Sequence, residues 1–529
     1  MYTDVMAEIA RLKDGRIHVA RAGLVTQARL CVDMFQQGRG VAWVVKNRDE
    51  LLTARALIRL FSPELSSGDF LPDALHKSGW TSLPPFPPRS VNRAGWTERL
   101  AALYALRSGQ AKGLILTADN LLPKLVPLDF FENREINLIQ GEDVSLDMLL
   151  EQAVEWGYER VSMVSNPGEI ARRGDILDIM PPGYDKPIRL DFFGDLIEDI
   201  RLFDPVSQRS KANLSEVPIL PVSPIRQSPA DQAKMQARWN SLFQKSMLTE
   251  NERFGLTRLQ EQGDFRLLPG CCYDTATNLE GWLPAGTVWV LPGLTELRDM
   301  LSSAECLWTE ALEAQDVEGR PQPQRLAIRG ANDAESACER FACIHAEPLV
   351  MDVAKKAHDL PERSLSSFED LFPSIAERDR PWQTLVQSLK RWQIDKRQTI
   401  LCFASEKSRT KFLNLASQDG LAPLLRYSAE QHGLFALVTP FRAGAELIWD
   451  QSILLGEDLL QPHAEKSRRV PTGAFKGLDR YDELKPGDLL VHRDYGIARF
   501  GGLLRMETGS TANDFLLLHY SGDDRLYVP

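Results

Sequence analysis

Residues 187–203 read Pro187-Ile-Arg-Leu-Asp-Phe-Phe-Gly-Asp-Leu-Ile-Glu-Asp-Ile-Arg-Leu-Phe203, and this stretch sets the architecture of the middle of the chain. Two apolar-alternating runs, Ile188–Phe193 and Leu196–Phe203, flank Gly194-Asp195, which is the pattern of a two-residue hairpin. With a period of two, Ile188, Leu190 and Phe192 share one face, and Arg189, Asp191 and Phe193 share the other. If the first face is core, Phe193 stands exposed on the side of Arg189, the pairing of aromatic and arginine that anchors interfaces. The alternative is that Phe193 packs under the Gly194 turn. The preceding strand, Asp175–Met180, is introduced by Ala171-Arg172-Arg173-Gly174, which can add another arginine to the outer face. Asp195, Glu198 and Asp199 beside the turn read as a solvated face rather than an acid/base pair.

Outward from the hairpin, Tyr158–Val164 is a further strand. Ser145 caps a helix whose stripe is Leu146, Leu149, Leu150, Ala153 and Val154, closing at Gly157. Residues 128–212 therefore read as an α+β domain. It is inserted in an α/β domain whose first part is 1–127 and whose second part is 213–335. In the first part, Ile17–Ala20, Val41–Val45 and Gly113–Thr117 are strands. Thr26 caps a helix carrying Cys31, Met34 and Phe35, Asn47 or Asp49 caps the next, and Trp96, Leu100, Leu103 and Leu106 mark a third. Such alternation predicts a parallel sheet. The Pro-rich stretch 83–88 reads as a stiff surface loop. The second part holds the strand Thr287–Leu291. Residues 346–375 read as a linker. Residues 376–460 form a small α/β domain with a helix around Leu385–Trp392 and strands Thr399–Phe403 and Leu434–Thr439. Residues 461–482 are a basic linker carrying Lys466, Arg468, Arg469, Lys476 and Arg480. From 483 to 529, short strands (Leu489–His492, Gly496–Phe500, Leu503–Glu507, Asp514–Tyr520, Arg525–Val528) and Gly turns predict a small barrel, cut at Pro529.

The 529 residues include 62 Lys+Arg against 73 Asp+Glu, a formal charge of −11, so the chain is not broadly built to coat DNA or an anionic membrane. Seven cysteines, an odd number in no regular framework, fit a reducing, cytoplasmic setting. No secretory h-region opens the sequence, and no apolar run approaches the ~18 residues of a membrane span. The position for a phosphate loop, after Ile17–Ala20, reads Arg21-Ala22-Gly23-Leu24-Val25-Thr26. It lacks G-x-x-x-x-G-K-[ST], and no Gly-Lys pair occurs in the chain. There is no G-x-S-x-G, no H-E-x-x-H and no recognisable triad order. Cys338, Cys343 and His345 lack metal-site spacing and read as ordinary side chains. The expectation is therefore no catalytic residue, no cofactor and no metal.

Three stretches resemble the bacterial transcription-repair coupling factor family, Mfd. One is Gly168-Glu-Ile-Ala-Arg-Arg-Gly-Asp-Ile-Leu-Asp-Ile-Met-Pro181 with Pro187–Asp195 and Phe203-Asp-Pro-Val-Ser-Gln-Arg209; it is shared with the excision protein UvrB. Another, not shared with UvrB, is Leu484-Lys-Pro-Gly-Asp488, Val491-His-Arg-Asp-Tyr-Gly-Ile-Ala-Arg-Phe500 and Asp524-Arg-Leu-Tyr-Val-Pro529. The third is Glu98-Arg-Leu-Ala-Ala-Leu-Tyr-Ala-Leu106. The resemblance covers the chain in order, with 213–460 matching in pattern only and with departures at Arg493 and Ala498. It implies a multidomain α/β fold: a UvrB-like, degenerate helicase-type α/β domain carrying an inserted UvrA-binding α+β domain, a further small α/β domain, and a C-terminal all-β barrel of the CarD/Tudor type.

The resemblance also implies partners. The family's UvrA-binding residues correspond to Arg173, Arg189 and Phe193. The barrel would dock on the RNA polymerase β subunit, with Arg493, Arg499 and Leu503 as contacts. A translocase that uses ATP and Mg²⁺, moves on double-stranded DNA and displaces stalled polymerase would follow in the family. The chain then reads as the recruitment half of a coupling factor, an N-terminal fragment that is not itself an enzyme. A UvrB/helicase-type NTPase is the alternative, set against by the missing phosphate loop. A regulator acting through the barrel alone leaves the 168–209 stretch unexplained.

Overall fold

The computed structural model describes residues 2–12, 14–62, 79–88, 91–205, 207–347, 357–374, 379–428, 431–460, 487–492, 496–508, 511–519 and 525–528. The chain divides into two compact units, Met1–Pro462 and His463–Pro529.

The first unit is organised by a seven-stranded sheet in the order Ala357–Asp359, Arg16–Ala20, Ala342–Glu347, Val288–Pro292, Val41–Val45, Gly113–Thr117, Trp80–Leu83. Every neighbouring pair is parallel. Val41–Val45, Gly113–Thr117 and Val288–Pro292 are buried throughout, as strands covered by helices on both faces must be. Alternate residues feed two cores. Ala42, Val44, Leu114, Leu116, Trp289 and Leu291 serve one; Val41, Trp43, Val45, Ile115, Val288 and Val290 serve the other. Strands from both sides of the insertion thus interleave in one sheet.

The insertion is a six-stranded sheet in the order Ser210–Asn213, Leu196–Phe203, Ile188–Phe193, Ile176–Ile179, Glu169–Arg173, Glu159–Arg160. All its pairs are antiparallel except the last. The helix Leu146–Glu155 packs Leu146, Leu149, Leu150 and Ala153 against Ile170, Leu177, Leu190, Phe192 and Ile200. At its root, Ile136–Ile139 pairs antiparallel with Glu216–Ile219. Leu138, Val217, Ile219 and Val222 join the same core, so it runs past the sequence boundary at 212.

The segment read as a linker, 346–375, is built into both α/β sheets where it is described. Ala357–Asp359 extends the seven-stranded sheet alongside Arg16–Ala20, and Glu362–Leu365 forms the edge of a five-stranded sheet. These strands are short and polar because they are edge strands, which gives them the composition of a loop. The five-stranded order is Glu362–Leu365, Gly444–Leu447, Ser452–Gly456, Gln398–Phe403, Gly433–Val438. The two sheets share a core, in which Ile400, Cys402, Phe435 and Leu454 lie in one cluster with Ile17, Val25, Trp43 and Leu57. Tyr2 stacks on Trp449 at 4.4 Å between centroids. Trp449 Nε1 donates to Thr26 Oγ1 at 3.1 Å.

Thr26 is not a cap. The helix Leu24–Gln36 begins after Gly23, which caps it without a side chain, and Thr26 is buried in its first turn. Asn47 does cap the helix Arg48–Phe61, accepting from Glu50 N at 3.0 Å.

In the second unit, Leu489–His492, Gly496–Thr508, Thr511–His519 and Arg525–Val528 form an antiparallel sheet in chain order. The runs Gly496–Phe500 and Leu503–Glu507 are one strand, bent by a register shift between Phe500 and Gly502, where Gly502 has φ +120°. Arg525–Val528 pairs with Leu516–His519 over its whole length. Among the described residues no helix is long and apolar enough to cross a membrane.

Because the two α/β sheets share a core, residues 1–462 are expected to unfold with both sheets in one transition. Trp449→Ala should lower its midpoint by the equivalent of about 2 kcal/mol. Hydrogen exchange followed through a denaturant titration checks this; separate midpoints for strands of the seven-stranded and five-stranded sheets in the unsubstituted chain would refute the shared core.

Candidate functional site

Two Gly-Asp turns build the outer face of the inserted sheet. Glu169–Arg173 turns through Gly174-Asp175 into Ile176–Ile179, and Ile188–Phe193 turns through Gly194-Asp195 into Leu196–Phe203. Gly174 has φ +64° and Gly194 φ +63°, and neither Asp has positive φ, as a turn with glycine at its first central position requires. Arg173 and Phe193 each immediately precede such a turn. Since Ile176 pairs with both Arg173 and Asp191, the two turns lie at the same end of the sheet.

Arg173 therefore ends its own strand, Glu169–Arg173, rather than introducing Asp175–Met180. The positive-φ glycine separates the two strands. This parity puts Arg173 on the outer face with Ile176, Arg189, Asp191 and Phe193. Arg172 lies on the opposite face and pairs with Asp147 at the start of the Leu146–Glu155 helix. Phe193 is 73% exposed, so it does not pack under the Gly194 turn. Its strand alternates as expected, with Ile188, Leu190 and Phe192 buried.

The two arginines differ in kind. Arg173 is exposed; its Nη2 donates to the Ser162 carbonyl at 2.9 Å, and no carboxylate among the described residues pairs with it. Arg189 is committed. Its Nε and Nη2 grip the Asp178 carboxylate at 2.7 and 2.9 Å, Nη2 also reaches Gln208 Oε1 at 3.0 Å, and the guanidinium lies 4.4 Å from the Phe203 ring centroid. Hydrogen bonding to Asp178 raises the guanidinium above its ordinary pKa. Asp178 is buried, so this bidentate pair satisfies a carboxylate that water does not reach. Asp178, Phe203 and Gln208 escaped the sequence reading. Only the register, with Asp178 directly across from Arg189, reveals the first of them. Beside them Arg201 bridges Asp191 and Asp199. The face thus presents an exposed aromatic, an exposed cation without a carboxylate partner and a held cation, a combination suited to gripping an acidic and apolar protein surface.

Among the described residues no group of three His, Cys, Asp or Glu side chains could hold a metal ion. Cys338, Cys343 and His345 are buried. Burial pushes the Cys343 thiol up to about 12 and the His345 imidazole down to about 4, which keeps both neutral. Of the residues assigned to polymerase, Arg493 lies outside the described residues. Arg499 is exposed on Gly496–Thr508, opposite Leu489 and His519. Leu503 is on the same strand opposite Leu516.

The inserted domain is of the UvrB interaction class: that family model matches residues 136–224, and a CarD-like/TRCF RID domain model matches residues 484–529. The chain as a whole is similar to the transcription-repair-coupling factors. It is 28% identical to that of Myxococcus xanthus over 481 residues, 84% of this chain and 39% of the relative. It is 27% identical to that of Escherichia coli over 490 residues, 86% and 40%, and 24% identical to that of Bacillus subtilis over 463 residues, 82% and 38%. The chain thus spans about 40% of the length of the curated relatives it matches.

Arg189→Ala should cost about 3 kcal/mol or more, because it strands a buried carboxylate. Phe193→Ala should change stability by less than about 0.5 kcal/mol. Chemical denaturation of the two variants measures the contrast, and equal losses would mean that Phe193 is packed in solution.

Proposed function

We propose that this chain is the recruitment part of a transcription-repair coupling factor, binding UvrA through the outer face of its inserted domain and RNA polymerase through its C-terminal module. The observation that carries the reading is Phe193, 73% exposed beside Arg173 and Arg189 at one end of a UvrB interaction domain. What supports the reading is not the exposure of Phe193 alone but its place on one sheet face with Arg173 and Arg189, the combination of aromatic and arginine in which interface hot spots are enriched. Arg173 and Phe193 make the direct contacts, and Arg189 holds the strand geometry while offering one edge of its guanidinium.

In the same reading the CarD-like module docks on the polymerase β subunit, with Arg493, Arg499 and Leu503 as contacts. The module is a small barrel of the CarD/Tudor type, and the seven-stranded domain is a helicase-type fold that holds no nucleotide. The chain then acts as a platform that brings the excision machinery to a stalled polymerase, without hydrolysing ATP itself.

Titration of UvrA onto the chain by calorimetry tests the first contact. Phe193→Ala and Arg173→Ala should each weaken binding roughly thirtyfold, the equivalent of ~2 kcal/mol, with unfolding unchanged. Binding unaffected by either substitution would remove this face as the UvrA site. For polymerase, capture of the β subunit by residues 463–529 should be lost in Arg499→Glu. Capture that is indifferent to this charge reversal would move the contact elsewhere.

A further inference from the structure

The turn after Arg16–Ala20 is where a parallel α/β domain of this kind would hold a phosphate, at the N-terminus of the next helix. In this chain the place is filled from within. Glu362 Oε2 accepts from Thr26 N at 2.8 Å and Oε1 accepts from Val25 N at 3.3 Å, both free donors of the first turn of Leu24–Gln36. The backbone seats the carboxylate as well. Leu360 N donates to the Ala20 carbonyl at 3.0 Å and Glu362 N to the Arg21 carbonyl at 3.0 Å, so the chain runs along the whole turn. Arg21, at φ +55°, directs its Nε to Asp359 Oδ1 at 2.8 Å. A Cβ at Gly23 would stand 2.3 Å from Glu362 Oε1, so glycine here lets a carboxylate, rather than a nucleotide, approach the backbone. Burial raises the Glu362 carboxyl, and the donors of Thr26 and Val25 oppose that shift.

We propose that Glu362 is an internal substitute for a bound phosphate: the five-stranded sheet inserts its edge carboxylate into the phosphate turn of the seven-stranded sheet, closing that turn to free anions and latching the two sheets together. Oxygen acceptors, negative charge and a helix N-terminus are the parts of a phosphate site, and here all the acceptors come from one side chain. The latch also accounts for the helix starting at Leu24 without a side-chain cap of its own.

The test uses the full chain with Glu362→Ala and Glu362→Gln, inorganic phosphate as probe, and chloride at matched ionic strength as control. In the unsubstituted chain the unfolding midpoint should not respond to phosphate beyond the chloride control. In Glu362→Ala the midpoint should fall and then recover saturably with phosphate. Amide exchange in a peptide spanning residues 24–28 should be about tenfold faster, with exchange around Glu50, capped by Asn47, unchanged. Glu362→Gln keeps the shape and one acceptor oxygen, so its exchange should rise less. If Glu362→Ala does not fold, faster local exchange in Glu362→Gln decides for the latch and unchanged exchange decides against it. Phosphate stabilising the unsubstituted chain as much as Glu362→Ala, or a folded Glu362→Ala that phosphate does not rescue, would overturn the proposal.

Discussion

The parallel pairing of Val288–Pro292 with Val41–Val45 is the constraint on which the first unit depends. It joins residues nearly 250 positions apart in sequence at the centre of a sheet, between strands buried on both faces. Because the pair is parallel, the chain leaves Val45 at one end of the sheet and re-enters Val288 at the other, and an insertion on that route leaves the sheet undisturbed only if its own two ends lie together. The inserted domain meets this requirement through the Ile136–Ile139/Glu216–Ile219 pair at its root, with Tyr158 donating to the Leu220 carbonyl at 2.8 Å and Val222 N to the Trp156 carbonyl at 3.0 Å. Arg93, at the start of the Arg93–Arg107 helix, pairs with Glu159 and ties the insertion's edge strand to the parent domain. The outer face of the insertion is thereby carried on a fixed support rather than on a loose arm.

In the proposed UvrA site, Arg189 serves stability and recognition together. Its two bonds to buried Asp178 fix the guanidinium, which lies over the Phe203 ring. A side chain so held loses little rotamer entropy when a partner arrives, so contact with its free edge comes at low conformational cost. Arg173, with one carbonyl partner, keeps its charge available but must be ordered on binding. The face thus divides the work between a preorganised cation and a free one, and a loss of binding in Arg189 variants reports both roles at once.

Much of this was legible in the sequence. The period of two over Ile188–Phe193 put Phe193 on the face of Arg189, and Gly194-Asp195 placed the turn, because both are local properties of backbone and side chain; spacing left open whether Phe193 packs under that turn, and its 73% exposure in the fold decides it. The edge strands Ala357–Asp359 and Glu362–Leu365 were not legible. Their partners lie more than 300 residues upstream for the first and about 80 downstream for the second, and their polar composition is that of a linker. The Gly174 turn was missed although it repeats the Gly-Asp of the turn at Gly194, because Arg172 and Arg173 break the apolar alternation that marks a strand. Thr26 was misread for a related reason: its residue type fits a cap, but the acceptor its helix uses comes from Glu362, which no local pattern can announce.

The turn after Ala20 lacks the glycine-rich loop and lysine of a phosphate site, and that lack does not explain why the turn is stable. A helix N-terminus left with unpaired N–H groups in a buried setting would cost free energy. Glu362 removes that cost, and in doing so ties the residues after Ala20 to the sheet that begins at residue 362. Trp449, donating to Thr26 Oγ1 while stacking on Tyr2, closes the same corner from another strand connection. The residues that would have met a ligand are thus used as joints. A turn held by a side chain of its own fold, as proposed for Glu362, is rigid, and on the proposed function such rigidity suits a support that holds the outer face of the inserted domain in place.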